Sequence, residues 1–281
     1  MPIQAVQHIR RMRGGAQSHL MRCADGNYYV VKLQNNPQHP RVLANDWLGT
    51  RLAQIIGLSV PEPAIVHVDP WLVEHTPDLC IELCGKRIVA AGGMSFGSRF
   101  VVPPVEGDVH DYLPETAIGR VRNRREFAGI LAFDKWTSNA DGRQVAFWKR
   151  LRERNFTASF IDQGYCFNAG EWSFPDAPLR GVFGRNDVYE GVTGWDSFEP
   201  WLSRIEGFSD TSLWPLIKEV PPEWYGSASE ELEVLLSKLL ERRRQVRDLI
   251  LAFKDSSRNP FPNWRTISTV SQEACIEATS Q

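Results

Sequence analysis

The run YYVVKL, residues 28–33, sets a lysine inside a β-rich apolar segment. No other feature constrains the fold as tightly. An ammonium group in such a strand is costly unless it reaches water or an anion. Either Lys32 points outward from a half-exposed strand, or an acid from a neighbouring element meets it. The next segment supplies the acid: Val42, Leu43, Trp47, Leu48, Leu52, Ile55 and Ile56 recur at helical spacing up to a stop at Gly57, and Asp46 lies within that helix. A strand lysine paired with a helix acid is an arrangement that can hold nucleotide phosphates.

Two further clusters have the chemistry such a pair needs. FDKWTSNADGRQ, residues 133–144, gathers Asp134, Asn139 and Asp141, and SFIDQG, residues 159–164, ends an apolar strand on Asp162. Phosphoryl transfer needs a carboxylate to orient the attacking hydroxyl, and carboxylate or amide oxygens to hold magnesium. Capping and turn duty is the plain alternative for each of these residues taken singly. Ahead of the first strand pair, Gly14, Gly15 and Ser18 offer small residues and a hydroxyl. They form either a polyphosphate cover or an ordinary turn. No GKS or GKT follows, so this is not a Walker loop.

The 281 residues suffice for two lobes around a cleft. Thirty-two basic and 34 acidic side chains give a net charge of −2, which argues against a general electrostatic grip on nucleic acid and leaves room only for a local basic patch. No apolar run approaches the roughly 20 residues of a membrane span, and none at the N-terminus reads as a signal peptide. Five cysteines without a CxxC pair read as reduced thiols, so the expected location is cytoplasmic.

Along the chain, residues 16–33 predict a hairpin turning at Asp25-Gly26, and 64–68 a short strand. Residues 70–91 predict a helix ended by Gly92-Gly93, and SRFVVPP, residues 98–104, a strand. A Pro-, Asp- and Gly-rich linker at 103–116 precedes a helix over 124–137, two strands (VAFWKR and FTASFIDQ) and a long helix over 230–253. Arg242, Arg243 and Arg244 read as its solvated face, and the end beyond Arg258 as frayed. The resulting class is α+β and two-lobed: a β-rich lobe over 1–102, a linker and lobe start over 103–123, a mainly helical lobe over 124–257 and a flexible tail over 258–281.

With these motifs in order, the chain resembles the HipA-like kinases and, more distantly, the type II phosphatidylinositol 4-kinases. NADGR followed by IDQG resembles their catalytic and metal segments, and ANDWLGTRLAQIIGLSVPEPAIV resembles their small-lobe helix and its exit. The resemblance implies a protein-kinase-like fold using ATP and Mg²⁺ on a protein or small-molecule hydroxyl, foremost a protein Ser/Thr. Asp141 becomes the catalytic aspartate, Asn139 its support and Asp162 the magnesium ligand. Lys32 and Asp46 contact or support the phosphates under Gly14, Gly15 and Ser18, and residues 96–100, with Gly97 and Arg99, supply the adenine strand. Three departures stand out. The helix acid is Asp46 instead of glutamate. Ala146 occupies the position of the family's metal-binding asparagine, with Gln144 as the substitute ligand. Asp134, five residues before Asn139, offers a second register for the base. A pseudokinase that binds without transfer, and transfer of AMP by the same groups, are the competing implications.

Overall fold

The computed structural model describes residues 1–226 and 229–265. Strands β1 (Ile3–Arg11), β2 (His19–Cys23) and β3 (Tyr28–Lys32) form an antiparallel run. Helix α1 (Val42–Ile55) follows, then β4 (Pro63–Val68), α2 (Pro70–Glu74), the hairpin β5 (Cys80–Leu83) with β6 (Lys86–Val89), and β7 (Gly93–Arg99). Strands β1, β2, β3, β7 and β4 close into a barrel, with β1 beside β4 in parallel. Met21, Val31, Val66 and Val68 are fully enclosed in its core.

The second lobe begins with β8 (Gly107–His110) and α3 (Glu115–Ile118), followed by α4 (Glu126–Thr137), β9 (Gln144–Arg150) and β10 (Thr157–Ile161). Strands β10, β9 and β8 form one antiparallel sheet. Helices α5 (Trp201–Glu206), α6 (Asp210–Glu219), α7 (Ser229–Arg242) and α8 (Val246–Lys254) complete it. Almost all of α4 is buried, as an all-round apolar helix must be. Helix α1 belongs to this larger core: Leu48, Leu52 and Ile56 cluster with Phe127, Trp136 and Phe160. The helix that carries Asp46 is thus fastened to the second lobe as well as to the barrel.

Several expectations need correction. Residues 70–91 form one short helical turn and a hairpin, because Cys84 and Gly85 both take positive φ and turn the chain back on itself. The strand expected over 98–104 lies earlier and ends at Arg99. The polar N-terminal segment is a barrel strand, and the linker holds β8. The long C-terminal helix breaks into 3₁₀ geometry at Arg243–Gln245. Arg242 is buried, not solvated; its guanidinium donates to the carbonyls of Lys135 and Phe174. Of the tail expected to fray, residues 258–265 pack onto the lobe, with Phe261 buried and Trp264 edge-on to Trp195. The expectation for 266–281 lies outside the described residues.

Candidate active site

Lys32 is the last residue of β3 and is 6% exposed. Its Nζ donates to Asp46 Oδ2 at 2.6 Å and to Asp162 Oδ1 at 2.7 Å. The inward reading of the apolar-run lysine is the one that the fold adopts. Burial alone would pull the ammonium down, but the Asp162 and Asp46 carboxylates more than offset it and hold Lys32 above the ordinary lysine value. Burial, with the Asp162 charge close by, outweighs Lys32 at Asp46 and pushes this carboxyl up to about 6. Burial acts the same way on Asp162, but there Lys32 and Arg143 prevail and its pKa is lowered. The remaining oxygens are also engaged: Asp46 Oδ1 accepts from the Gln163 amide at 2.9 Å, and Asp162 Oδ2 from Gln144 Nε2 at 3.0 Å. Two carboxylates share one ammonium, so the cluster carries surplus negative charge. Gly164 makes room for it, because a Cβ there would sit 3.0 Å from Asp46 Oδ2 and 3.1 Å from Lys32 Nζ.

This cluster forms part of the wall of a cavity of about 680 Å³ shared by the barrel and the second lobe, within the range of small-molecule sites. Gly14, Gly15 and Ser18 border it from the β1–β2 loop. Gln17 fixes that loop by exchanging hydrogen bonds with the Glu82 backbone. From β7 and beyond, Phe96, Ser98, Arg99 and Phe100 line the wall, with the Arg99 guanidinium turned to Asn27 Oδ1. Gly97 is a correction. It faces the barrel interior, where a Cβ would lie 2.5 Å from Val66, so its role is close packing of β7 on β4.

Asp141, exposed on the loop after α4, and Gln144 and Ala146, on β9, also border the cavity. Asn139 Oδ1 accepts from the Asp141 amide at 3.2 Å, and Asn139 Nδ2 donates to Asp134 Oδ1 at 3.0 Å. Asp134 itself is 2% exposed and is not among the residues lining the cavity. Both of its oxygens are held by Arg143, through Nε at 2.9 Å and through Nη2. The second register for the base therefore falls on a sealed ion pair. Arg143 Nη1 also donates to the Ile161 carbonyl at 2.8 Å. That bond fixes the peptide just before Asp162, which sits in the left-handed region at φ 60°.

The sequence reading missed Arg143 and Asn45. Asn45 is fully buried on α1, with Nδ2 2.8–3.0 Å from the carbonyls of Gly164, Cys166 and Ala169, and Oδ1 accepting from Trp172 Nε1. It ties the loop after Asp162 to the helix that carries Asp46. An amide inside an apolar helix was the available signal, since asparagine is a poor helix former without another task.

No curated protein matches the chain. Among solved structures, one of hydra Fam20 with sugar superposes with a TM-score of 0.53 at 11% identity, covering 92% of this chain and 88% of that one. A structure of the Shewanella oneidensis HipA, HipB and operator DNA complex superposes with a TM-score of 0.51 at 10% identity, covering 89% of this chain and 68% of that one. At such identities these likenesses establish a kinase-like fold. A family model, the HipA-like kinase, matches residues 5–148, which run from within β1 to within β9 and include Lys32, Asp46 and Asp141. The chain belongs to the HipA-like kinase family and is a kinase-like phosphotransferase.

Proposed function

We propose that this enzyme transfers the γ-phosphoryl group of ATP, with Mg²⁺, to a hydroxyl, foremost that of a protein serine or threonine. The observation that carries the reading is Lys32 Nζ held between Asp46 and Asp162 on a cavity that Asp141 borders. The strand segment 96–100, with Phe96 and Phe100 on the cavity wall, would take the adenine, and the polyphosphate would run under the Gly14–Ser18 loop toward Lys32. On nucleotide binding, Lys32 keeps Asp46 and turns from Asp162 to the phosphates.

The donors on this wall suit magnesium. Among the described residues no group of three or more His, Cys, Asp or Glu side chains gathers as a metal cage. Magnesium does not need one, because it keeps waters and phosphate oxygens and takes one or two protein ligands. Asp162 and the Gln144 amide oxygen would be those ligands, and the surplus negative charge around Lys32 favours a cation there. Bound metal neutralises charge on the transferring phosphoryl group. Asp141 orients the acceptor hydroxyl and takes its proton, while Asn139 and Arg143 hold the loop in place.

Ala146 favours the second reading, binding without transfer, since the position of the family's metal-binding asparagine holds no ligand and the role falls to Gln144 alone on β9. Incubation with γ-labelled and α-labelled ATP separates the outcomes. Label from the γ position alone, on the protein or an added acceptor, supports the proposal; α label indicates AMP transfer, and neither indicates a binding module.

A further inference from the structure

Residues 119–125 (GRVRNRR) and 149–155 (KRLRERN) hold eight of the chain's 32 cations and one acid, in a protein whose net charge is −2. The fold fastens these runs side by side. Val121 bridges Phe156, with the Arg122 amide donating to the Phe156 carbonyl at 2.9 Å and the Phe156 amide to Arg120 at 3.0 Å. Arg120 donates to the Arg154 carbonyl, and its guanidinium and the Lys149 ammonium both lie over the Phe156 ring. Three of the eight have carboxylate partners: Arg122 with Glu153, Arg124 with Glu190 and Lys149 with Asp108. Arg120, Arg125, Arg150, Arg152 and Arg154 are exposed and have none within 4.0 Å among the described residues. Gathering like charges without counter-charges works against the fold, and a partner that supplies them removes the penalty.

The patch reaches the cavity. His110, on the cavity wall, meets Phe156 edge-on at 5.8 Å. Strand β9 joins the two places directly, with Gln144 beside Asp162 at one end and Arg150 at the other, about 20 Å away at strand rise.

We propose that this arginine surface docks an acidic, leucine-accommodating segment of the acceptor protein and so presents its hydroxyl to Asp141. As acceptor docking it rests on the phosphotransferase reading; the binding itself does not. Arginine forks match carboxylates bidentately. Leu151, 59% exposed, stands between Arg150 and Arg152 and offers an apolar contact that a sugar-phosphate backbone would not use. Phe156, the ring at the bridge between the two runs, is buried and covered by cations, so it offers no platform for stacking bases.

The test is fluorescence anisotropy on the full chain with a labelled glutamate-rich peptide carrying one leucine, beside single-stranded DNA and duplex RNA of equal charge. The peptide is expected to bind more tightly than either nucleic acid. Its affinity should fall at least about tenfold in an Arg150→Glu/Arg152→Glu variant, because like charges then face it. The milder Arg125→Gln/Arg154→Gln variant should weaken it less. The thermal response to ATP and Mg²⁺, measured on the same variants, should stay as in wild type; it reports folding and the nucleotide site independently. Tighter binding of a nucleic acid, no peptide binding at low salt, or binding indifferent to both variants overturns the docking proposal. Peptide binding without a nucleotide response overturns the phosphotransferase reading instead.

Discussion

The Lys32 cluster and the Arg143 cluster both touch the end of β10 at Asp162, yet they are built on opposite terms. Around Arg143 the charges balance. One guanidinium meets one carboxylate, Asp134, with side chains 0% and 1% exposed, and Asn139 and the Ile161 carbonyl complete the network. Around Lys32 they do not. One ammonium serves two carboxylates, and the Asp162 side chain, 14% exposed, borders a cavity. A sealed, neutral network suits a scaffold, because any lost member leaves an uncompensated charge. A surplus-negative cluster at a cavity suits exchange of partners with a cation and a polyanion. Asp134 and Asp141 are therefore not interchangeable, although the sequence offered both as the base, Asp141 by motif and Asp134 by its spacing to Asn139.

The strongest contrast should come from those two aspartates. Asp141→Asn should lower phosphoryl transfer by about 10²–10⁴-fold, the usual span for a lost general base, with unfolding free energy and nucleotide affinity near wild type. Rate assays beside denaturant unfolding check this; an active Asp141→Asn enzyme would move the base elsewhere. Arg143→Met should instead destabilise the fold by about 3–5 kcal/mol, as breaking a buried pair from one side does. The double variant Asp134→Leu/Arg143→Met should regain most of that stability in urea titrations while transfer stays low, because nothing then fixes the Ile161–Asp162 peptide. Recovery of both stability and turnover would show that the network does not position the site.

Gln144→Ala should act on the other cluster alone. Transfer at saturating Mg²⁺ should fall moderately and the Mg²⁺ concentration for half-maximal rate should rise, with stability unchanged. An identical Mg²⁺ dependence would remove Gln144 from the metal's surroundings. The smallest effect concerns pH. Asp46 is pushed up to about 6 in the fold from an ordinary 3.8, so the folded protein takes up a proton first as pH falls. Its contribution to stability is thus fully present below about 3.8 and lost as pH rises through about 6. Asp162 is lowered, and its contribution is lost only on acidification below the ordinary carboxylate range. Nucleotide binding should weaken below pH 6 while the fold does not, and Asp46→Asn should flatten that component in binding titrations across pH 5–8.

Much of this site could be read from the sequence, where local chemistry left few options. A lysine inside the apolar run YYVVKL and an acid inside an apolar helix imply each other, and the alternation that ends on Asp162 needs no tertiary information. What stayed hidden depended on partners far along the chain. β1 is too polar to read as a strand until β2 and β4 enclose it. The β5–β6 hairpin turns on Cys84-Gly85, a weaker signal than Asn-Gly, so its apolar residues passed for a helix. Arg143 looked like loop filler because its three acceptor atoms, on Asp134 and Ile161, come together only when α4 meets β10. Gly97 was misassigned because strand alternation, not composition, decides which face a residue takes.

Titration calorimetry of Mg²⁺-ATP into wild type and Asp162→Asn asks whether the Lys32 cluster is the nucleotide and metal site. Wild type should bind in a Mg²⁺-dependent way, and a folded Asp162→Asn protein should lose the Mg²⁺ dependence because one ammonium is then matched by one carboxylate. Mg²⁺-ATP binding by Asp162→Asn indistinguishable from wild type would contradict that assignment.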